Sequence, residues 1–144
     1  GGGCHCGAIR YAAEGEALEL GEITRLQQLK TGAMIALSCE AGAILGHASP
    51  AERQARHAYA HDLGLAFQIA DDLLDIEGSA EETGKRVKKD TVAGKATFVS
   101  LLGVDRARSQ ARILAGQASR HLDLFGEKGQ LLRDLAEFVL IRRS

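Results

Sequence analysis

Residues 67–75 read FQIADDLLD, and three aspartates so close together in an apolar segment require a physical explanation. On a helix, which advances about a hundred degrees per residue, one arc collects six residues: His61, Gly64, Gln68, Asp71, Asp72 and Asp75. Apolar side chains flank this arc, with Leu65, Ile69, Leu73 and Ile76 on one side and Phe67 and Leu74 on the other. The pattern predicts a buried helix that turns a stripe of carboxylates toward a polar cavity.

These aspartates repel one another unless a cation lies between them. Carboxylates four residues apart on a helix, such as Asp71 and Asp75, destabilise it by about 0.2–0.5 kcal/mol even when exposed, and burial increases the penalty. Magnesium ions take carboxylate oxygens as ligands and often bridge them to phosphate. The sequence therefore indicates a magnesium site on this helix, with a solvated acidic helix face as the alternative.

The charge changes sign along the segment that follows. Residues 71–82 carry six acidic side chains and no basic one, whereas residues 85–95 carry five basic side chains and one acid. Carboxylates that hold a metal, followed by lysines that neutralise phosphate oxygens, fit a metal–phosphate substrate. A charged surface loop is the alternative, because Gly78, Gly84 and Gly94 interrupt helices. We expect no nucleic acid partner, because only Phe98 lies nearby and no aromatic residues interleave with the lysines.

Four further motifs stand around FQIADDLLD. They are LKTG at 29–32, TGKRVKKD at 83–90, GKATFVSLLG at 94–103 and LRDLAEFVLIRR at 132–143. In this order they resemble the second half of a short-chain trans-prenyl diphosphate synthase, most closely the bacterial farnesyl and geranylgeranyl diphosphate synthases. The resemblance covers about residues 16–144. It implies an all-α fold, the C-terminal half of an isoprenoid-synthase helical bundle.

The resemblance also implies a reaction and the residues that perform it. Such a synthase condenses an allylic diphosphate with isopentenyl diphosphate, uses Mg²⁺, and usually forms a homodimer. In this sequence the metal ligands would be Asp71, Asp72 and Asp75. The residues that contact diphosphate would be Lys30, Thr31, Gln68, Lys85 and Lys95.

The chain, at 144 residues, is about half as long as a synthase of this kind. We expect a fragment or truncated gene product without the N-terminal half, which carries the first aspartate-rich motif and most of the isopentenyl diphosphate site. The alternatives are an inactive helical fragment that keeps a partial metal–diphosphate site, or a partner subunit that completes its site in a heteromer. Terpene cyclases use similar magnesium–diphosphate chemistry, but their second metal motif is an Asn/Ser/Glu pattern and not DDLLD.

The first residues do not match the rest of the chain. The stretch GGGCHCGAIRY at 1–11 resembles the opening of glutathione-dependent formaldehyde-activating proteins, in which such cysteines bind zinc. A structural zinc site takes four ligands, and beyond Cys4 and Cys6 this chain has only Cys39. We therefore expect an irregular tail at residues 1–15, the product of a fusion, recombination or assembly junction, followed by a partial polyprenyl synthase domain at 16–144.

Composition agrees with a soluble helical protein of the cytoplasm. The net charge is −1, the hydrophobic fraction is 45%, and a single proline leaves long helices uninterrupted. No stretch reaches the roughly 18 apolar residues that a membrane span needs. Three cysteines, an odd number, in a chain without secretory features favour reduced thiols.

Periodicity and capping signals predict five helices, at about 22–45, 50–76, 91–102, 105–124 and 127–142, with a loop at 77–90. Ser49, Pro50 and Glu52 predict a capping box at the start of the second helix. The residues expected to face inward in the last helix are Leu131, Leu135, Phe138 and Leu140 or Ile141. Without an N-terminal half, we expect apolar faces such as that of Leu65, Ile69, Leu73 and Ile76 to be exposed, so that the chain self-associates or is only marginally ordered alone.

Overall fold

A computed structural model of the chain describes residues 20–82 and 97–142. Every regular element in these two ranges is helical, which confirms the expected all-α fold. None of the described helices is both long and apolar enough to cross a bilayer. The predicted tail at residues 1–15 and the basic segment at 85–95 lie outside the described residues.

The described residues form six α-helices, one π-helical segment and one 3₁₀ segment. Helix α1 (Leu20–Gln27) continues through a π-helical segment (Gln28–Gly32) directly into α2 (Ala33–Leu45). The chain then forms α3 (Pro50–Glu82), α4 (Phe98–Leu102), α5 (Val104–His121), a 3₁₀ segment (Asp123–Gly129) and α6 (Gln130–Ile141). The loop predicted from residue 77 was wrong for residues 77–82, which continue α3 to its end at Glu82.

The start of α3 is held by the capping box that the sequence predicted. The backbone N–H of Ser49 donates to Oε2 of Glu52 at 2.7 Å, and the N–H of Glu52 donates to Oγ of Ser49 at 3.3 Å. Pro50 takes the first helical position, where its missing N–H leaves no hydrogen bond unmade. The hydrogen bonds from Ser49, first from its backbone and then from its hydroxyl, hold the pKa of Glu52 below its usual range.

Helix α3 lies at the centre of the bundle and packs against α2, α5 and α6. Its residues Leu65, Ile69 and Leu73 are buried, so the expectation that this face would be exposed was wrong. The reason is α5, which packs along α3 and brings small side chains into the same core cluster: Ala107, Ala111, Ala115 and Ala118. Alanines allow two helices to approach closely, so this chain covers the apolar face of α3 by itself.

Helix α6 turns a different face inward from the one predicted. Ala136 and Val139 are buried and Leu132 and Leu140 pack partly against the core, whereas Leu131 is 78% exposed. Three residues predicted to face inward, Leu131, Leu135 and Phe138, are exposed, as is Ile141. Of the predicted alternatives Leu140 and Ile141, it is Leu140 that packs against the core. Four polar residues share one side of this helix, Gln130, Arg133, Asp134 and Glu137, and Leu132 and Val139 lie opposite them. The helical period therefore indicates the observed inward face, and the prediction misread it. The hydroxyl of Tyr59 on α3 donates to the carbonyl oxygen of Leu132 at 2.8 Å and ties that side of α6 to the core.

Large apolar side chains are exposed on α2 and α6 rather than on α3. On α2 they are Met34, Leu37, Ile44 and Leu45, and Met34 is 72% exposed. On α6 they are the four residues just described as exposed. Contiguous apolar surface of this kind marks sites of association in soluble proteins. The expected self-association therefore stays a prediction, with a different surface as its cause.

Two glycines bring the π-helical segment against the middle of α3. A Cβ atom placed on Gly64 would lie 3.0 Å from the Cα atom of Gly32, tighter than side chains normally pack against a backbone. Glycine at both positions therefore allows the two backbones to approach closely. This approach brings the residues that follow Gly64 on α3 near those of the π-helical segment.

Candidate functional site

Thr31 and Gln68 meet beside this close approach. The hydroxyl of Thr31 donates to Oε1 of Gln68 at 3.2 Å, and Nε2 of Gln68 donates to Oδ1 of Asp72 at 3.4 Å. The structure thus joins three of the predicted site residues in one hydrogen-bonded row, called here the Thr31–Gln68–Asp72 row. Thr31 lies in the π-helical segment. Such segments are rare in proteins overall, but those that occur are often found at functional sites.

Asp72 is the most buried of the three aspartates, with 8% of its surface exposed. Its Oδ2 atom accepts a hydrogen bond from the backbone N–H of Phe98, at the start of α4, at 3.3 Å. Burial raises the pKa of this carboxyl group, and the nearby charges of Asp71 and Asp75 add to the rise. The hydrogen bonds from Gln68 and Phe98 oppose it. Asp72 therefore connects α3 to α4 as well as to the π-helical segment.

The side chain of Asp71 points toward the last described residue of the chain, Arg142. The Nη2 atom of Arg142, directly after α6, donates to Oδ1 of Asp71 at 2.9 Å. The guanidinium group also lies over the ring of Phe67, 4.0 Å from its centroid. A cation on an aromatic face is held electrostatically by the ring. Phe67 and Asp71 lie one turn apart on α3, and both contact the guanidinium group of Arg142.

Asp75 is exposed one turn beyond Asp71. In the described ranges, no group of three or more His, Cys, Asp and Glu side chains has the arrangement of a metal site. The three aspartates diverge: Asp72 points inward to Phe98, Asp71 points to Arg142, and Asp75 lies at the surface. Any metal held here would complete its coordination with oxygen ligands from outside these side chains, such as waters or the oxygens of a diphosphate.

The lysines predicted to contact diphosphate cannot be placed with these residues. Lys85 and Lys95 lie outside the described residues. Lys30 belongs to the π-helical segment by its backbone, and its side chain is outside the described part of the chain. Their assignment stays a prediction.

Arg142 is the site residue that sequence reasoning missed. The terminal motif LRDLAEFVLIRR contributes to the resemblance, but the sequence alone assigns no role to its arginines. The signal was present in the sequence, because two arginines directly follow a helix made mostly of apolar residues. What no pattern indicated was its partner, since Asp71 lies 71 residues earlier in the chain.

An apolar cavity of about 530 Å³ adjoins the Asp71–Arg142 pair. It lies between α2, α3 and α6, and its walls include Ile35, Leu63 and Val139. Phe67 and Arg142 also line it, so the same two residues separate the cavity from the carboxylate of Asp71. Burial raises the pKa of the Cys39 thiol in this wall, and the charge of Arg56 partly offsets the rise.

Two curated proteins that resemble this chain are both named farnesyl diphosphate synthase. The chain is 39% identical to a farnesyl diphosphate synthase of Geobacillus stearothermophilus over 135 residues, which are 94% of this chain and 46% of that protein. It is 34% identical to the farnesyl diphosphate synthase of Escherichia coli K12, over 99% of this chain and 49% of that protein. The chain thus spans about half the length of these relatives.

A solved structure gives the same match at the level of the fold. The apo crystal structure of a FPP/GFPP synthase from Zymomonas mobilis superposes with a TM-score of 0.76 and 48% identity, and the match covers 92% of this chain and 43% of that one. The family model described as polyprenyl synthetase matches residues 8–132. The chain belongs to the polyprenyl synthetase family.

Proposed function

We propose that this chain forms the C-terminal part of a prenyltransferase that condenses an allylic diphosphate with isopentenyl diphosphate. The observation that carries the proposal is the Thr31–Gln68–Asp72 row, which gathers polar residues of two distant motifs beside Asp71 on α3. Relatives named as farnesyl diphosphate synthases support the same reaction class.

The carboxylates of α3 fit a magnesium ion as a partial site. Asp71 already pairs with a cationic group, the guanidinium of Arg142, and Asp75 stands one helical turn away. Magnesium usually takes one or two protein carboxylates together with waters and substrate phosphate oxygens. In our proposal Asp71, Asp72 and Asp75 are the ligands from this chain. Bound Mg²⁺ would supply positive charge that stabilises the departing diphosphate.

The remaining site residues would bind and orient the substrates. Lys30, Thr31 and Gln68 would contact the allylic diphosphate, and Lys85 and Lys95 would neutralise its oxygens. In the reaction the bond from the allylic carbon to the diphosphate oxygen breaks, and the alkene of isopentenyl diphosphate forms a new carbon–carbon bond with that carbon. Loss of a proton then restores a double bond. Fixed positive charge around the leaving group lowers the barrier to the first of these events.

We further propose that the complete protein acts in the cytoplasm as a homodimer and has no nucleic acid partner. The exposed apolar side chains of α2, among them Met34 and Leu37, support association with another polypeptide. The cytoplasmic assignment rests on the sequence features given above.

A second candidate is a catalytically inactive helical fragment, or a partner subunit, that keeps only a partial metal–diphosphate site. The chain spans 46% and 49% of two curated relatives, and its described acids do not form a three-ligand cluster. In this alternative the isolated chain binds a magnesium–diphosphate complex but forms no prenyl product.

A chimeric enzyme tests whether this chain supports the proposed prenyl transfer. The matched segment of the Geobacillus stearothermophilus farnesyl diphosphate synthase would be replaced by this chain. We expect Mg²⁺-dependent condensation of an allylic diphosphate with isopentenyl diphosphate, and its loss in the Asp71→Asn chimera. A chimera that folds, as judged by circular dichroism and sedimentation, yet forms no product would contradict the proposal.

A further inference from the structure

The pair of Arg142 and Asp71 joins the last described residue of the chain to α3. Arg142 directly follows α6, and its backbone is extended, with φ −57° and ψ 141°. Its side chain is 20% exposed and that of Asp71 is 49% exposed. The guanidinium group therefore lies at the boundary between the apolar cavity and the carboxylate surface of α3.

The contacts of Arg142 leave part of its hydrogen-bonding capacity unused. An arginine that serves only as a structural anchor for a carboxylate commonly donates two parallel hydrogen bonds. Here one hydrogen bond is made to Asp71, and the buried Nε atom of Arg142 has no hydrogen-bond partner among the described residues. A group held by one hydrogen bond and one aromatic face can be exchanged more easily than a bidentate anchor.

The charges around Asp71 explain why a cation is held there. Asp72 and Asp75 stand on the same helix within one turn, so the local field is negative. Arg142 is the cationic group that the structure pairs with Asp71. It lies where the proposed function requires a magnesium ion to take an oxygen of Asp71.

We propose, on the basis of the proposed function above, that Arg142 is an internal counter-ion that competes with Mg²⁺ for the carboxylate of Asp71. When no metal is bound, the guanidinium group neutralises Asp71 and is kept in place by the ring of Phe67. A divalent cation on the same carboxylate repels the guanidinium group, so metal binding displaces Arg142 from Asp71. Arg142 is thus a positioning residue that raises the metal concentration needed to load the site.

Calorimetric titration of the full chain with Mg²⁺ alone tests this competition. Arg142→Gln removes the charge, and we expect about two- to fivefold tighter Mg²⁺ binding, the range that a partly exposed ion pair supports. Phe67→Leu leaves all charges in place but removes the ring under the guanidinium, and we expect a smaller change in the same direction. Thermal unfolding would check that both variants are folded.

Arg108→Gln is the matched control. Arg108 forms an ion pair with Glu77, which lies on α3 two residues beyond Asp75. If Arg108→Gln tightens binding as much as Arg142→Gln, the effect is one of net charge and the competition is refuted. Unchanged or weaker Mg²⁺ binding by Arg142→Gln, while the parent chain binds Mg²⁺, would refute the competition and leave the proposed function intact. If neither the parent nor Arg142→Gln binds Mg²⁺, the magnesium half-site itself fails, and the competition fails with it.

Discussion

The backbone N–H of Phe98 donates a hydrogen bond to Oδ2 of Asp72, across 26 residues of sequence. This contact attaches α4 to the aspartate-rich stretch of α3. One aspartate of the motif thus has a structural role in addition to the metal role proposed for it. Asp71 and Asp72 are adjacent in sequence, yet one faces solvent and Arg142 while the other is buried.

Replacement of these two aspartates should affect stability unequally. Asp72→Ala leaves the N–H of Phe98 and the amide of Gln68 without their acceptor, and an unsatisfied buried polar group typically destabilises by about 1–3 kcal/mol. Asp71→Ala removes only a partly exposed ion pair, which contributes about 1 kcal/mol or less. Urea unfolding followed by circular dichroism would measure both. Equal losses of unfolding free energy would contradict the assigned role of Asp72.

The contact between Gly32 and Gly64 predicts the effect of adding a single methyl group. Gly64→Ala would force two backbones apart, and overpacking of this kind destabilises by about 1–3 kcal/mol. Gly78→Ala is the control on the same helix, because nothing lies within 4 Å of the added atom. There the loss of backbone entropy in the unfolded chain should stabilise the helix by about 0.5–1 kcal/mol. Thermal unfolding of both variants measures the two changes in stability, which should have opposite signs. Stabilisation by Gly64→Ala would contradict the close approach of the two backbones.

The capping box at Ser49 and Glu52 predicts a pH-dependent stability. Because the pKa of Glu52 is lower in the folded chain, its contribution is present above the unfolded pKa and is lost as pH falls through the folded pKa. Glu52→Gln should therefore lower the free energy of unfolding at neutral pH, with the difference vanishing once the pH falls below the folded-state pKa of Glu52. Glu127→Gln, at an exposed position, serves as the control. A difference that is constant with pH would contradict the role of the carboxylate.

The exposed side chains of α2 predict that the chain self-associates in solution. Leu37→Glu places a charge within this apolar surface and should shift the sedimentation profile toward the monomer, with less binding of a hydrophobic dye. Leu124→Glu substitutes another exposed apolar side chain, outside α2 and α6, and should leave the profile unchanged. A parent chain that is monodisperse as a monomer, with little dye binding, would show that this surface does not drive association.

Features that depend on neighbouring residues were predictable from the sequence. The capping box of Ser49 and Glu52 follows from spacing within one helical turn. The aspartates and Gln68 were placed on one arc for the same reason, and the structure joins Gln68 to Asp72.

Features that depend on distant partners were not predictable in the same way. The hydrogen bond that ties α6 to the core joins Tyr59 to Leu132, 73 residues apart, and has no local signal in the sequence. The sequence predicts a buried helix at Leu65, Ile69 and Leu73, but not what covers them in this chain, because the alanines of α5 that join their cluster lie more than thirty residues downstream. The pairing of Arg142 with Asp71 has no local signal for the same reason.

The central claim is that the aspartates of α3 hold a magnesium–diphosphate complex. Calorimetry with a non-hydrolysable allylic diphosphate analogue, with and without Mg²⁺, tests it directly on the parent chain, Asp71→Ala, Asp75→Ala and the exposed control Asp105→Ala. We predict that binding requires Mg²⁺, weakens by about tenfold or more in Asp71→Ala and Asp75→Ala, and is unchanged in Asp105→Ala. Binding by Asp71→Ala as tight as that of the parent, or binding that does not need Mg²⁺, would contradict the assignment of this site.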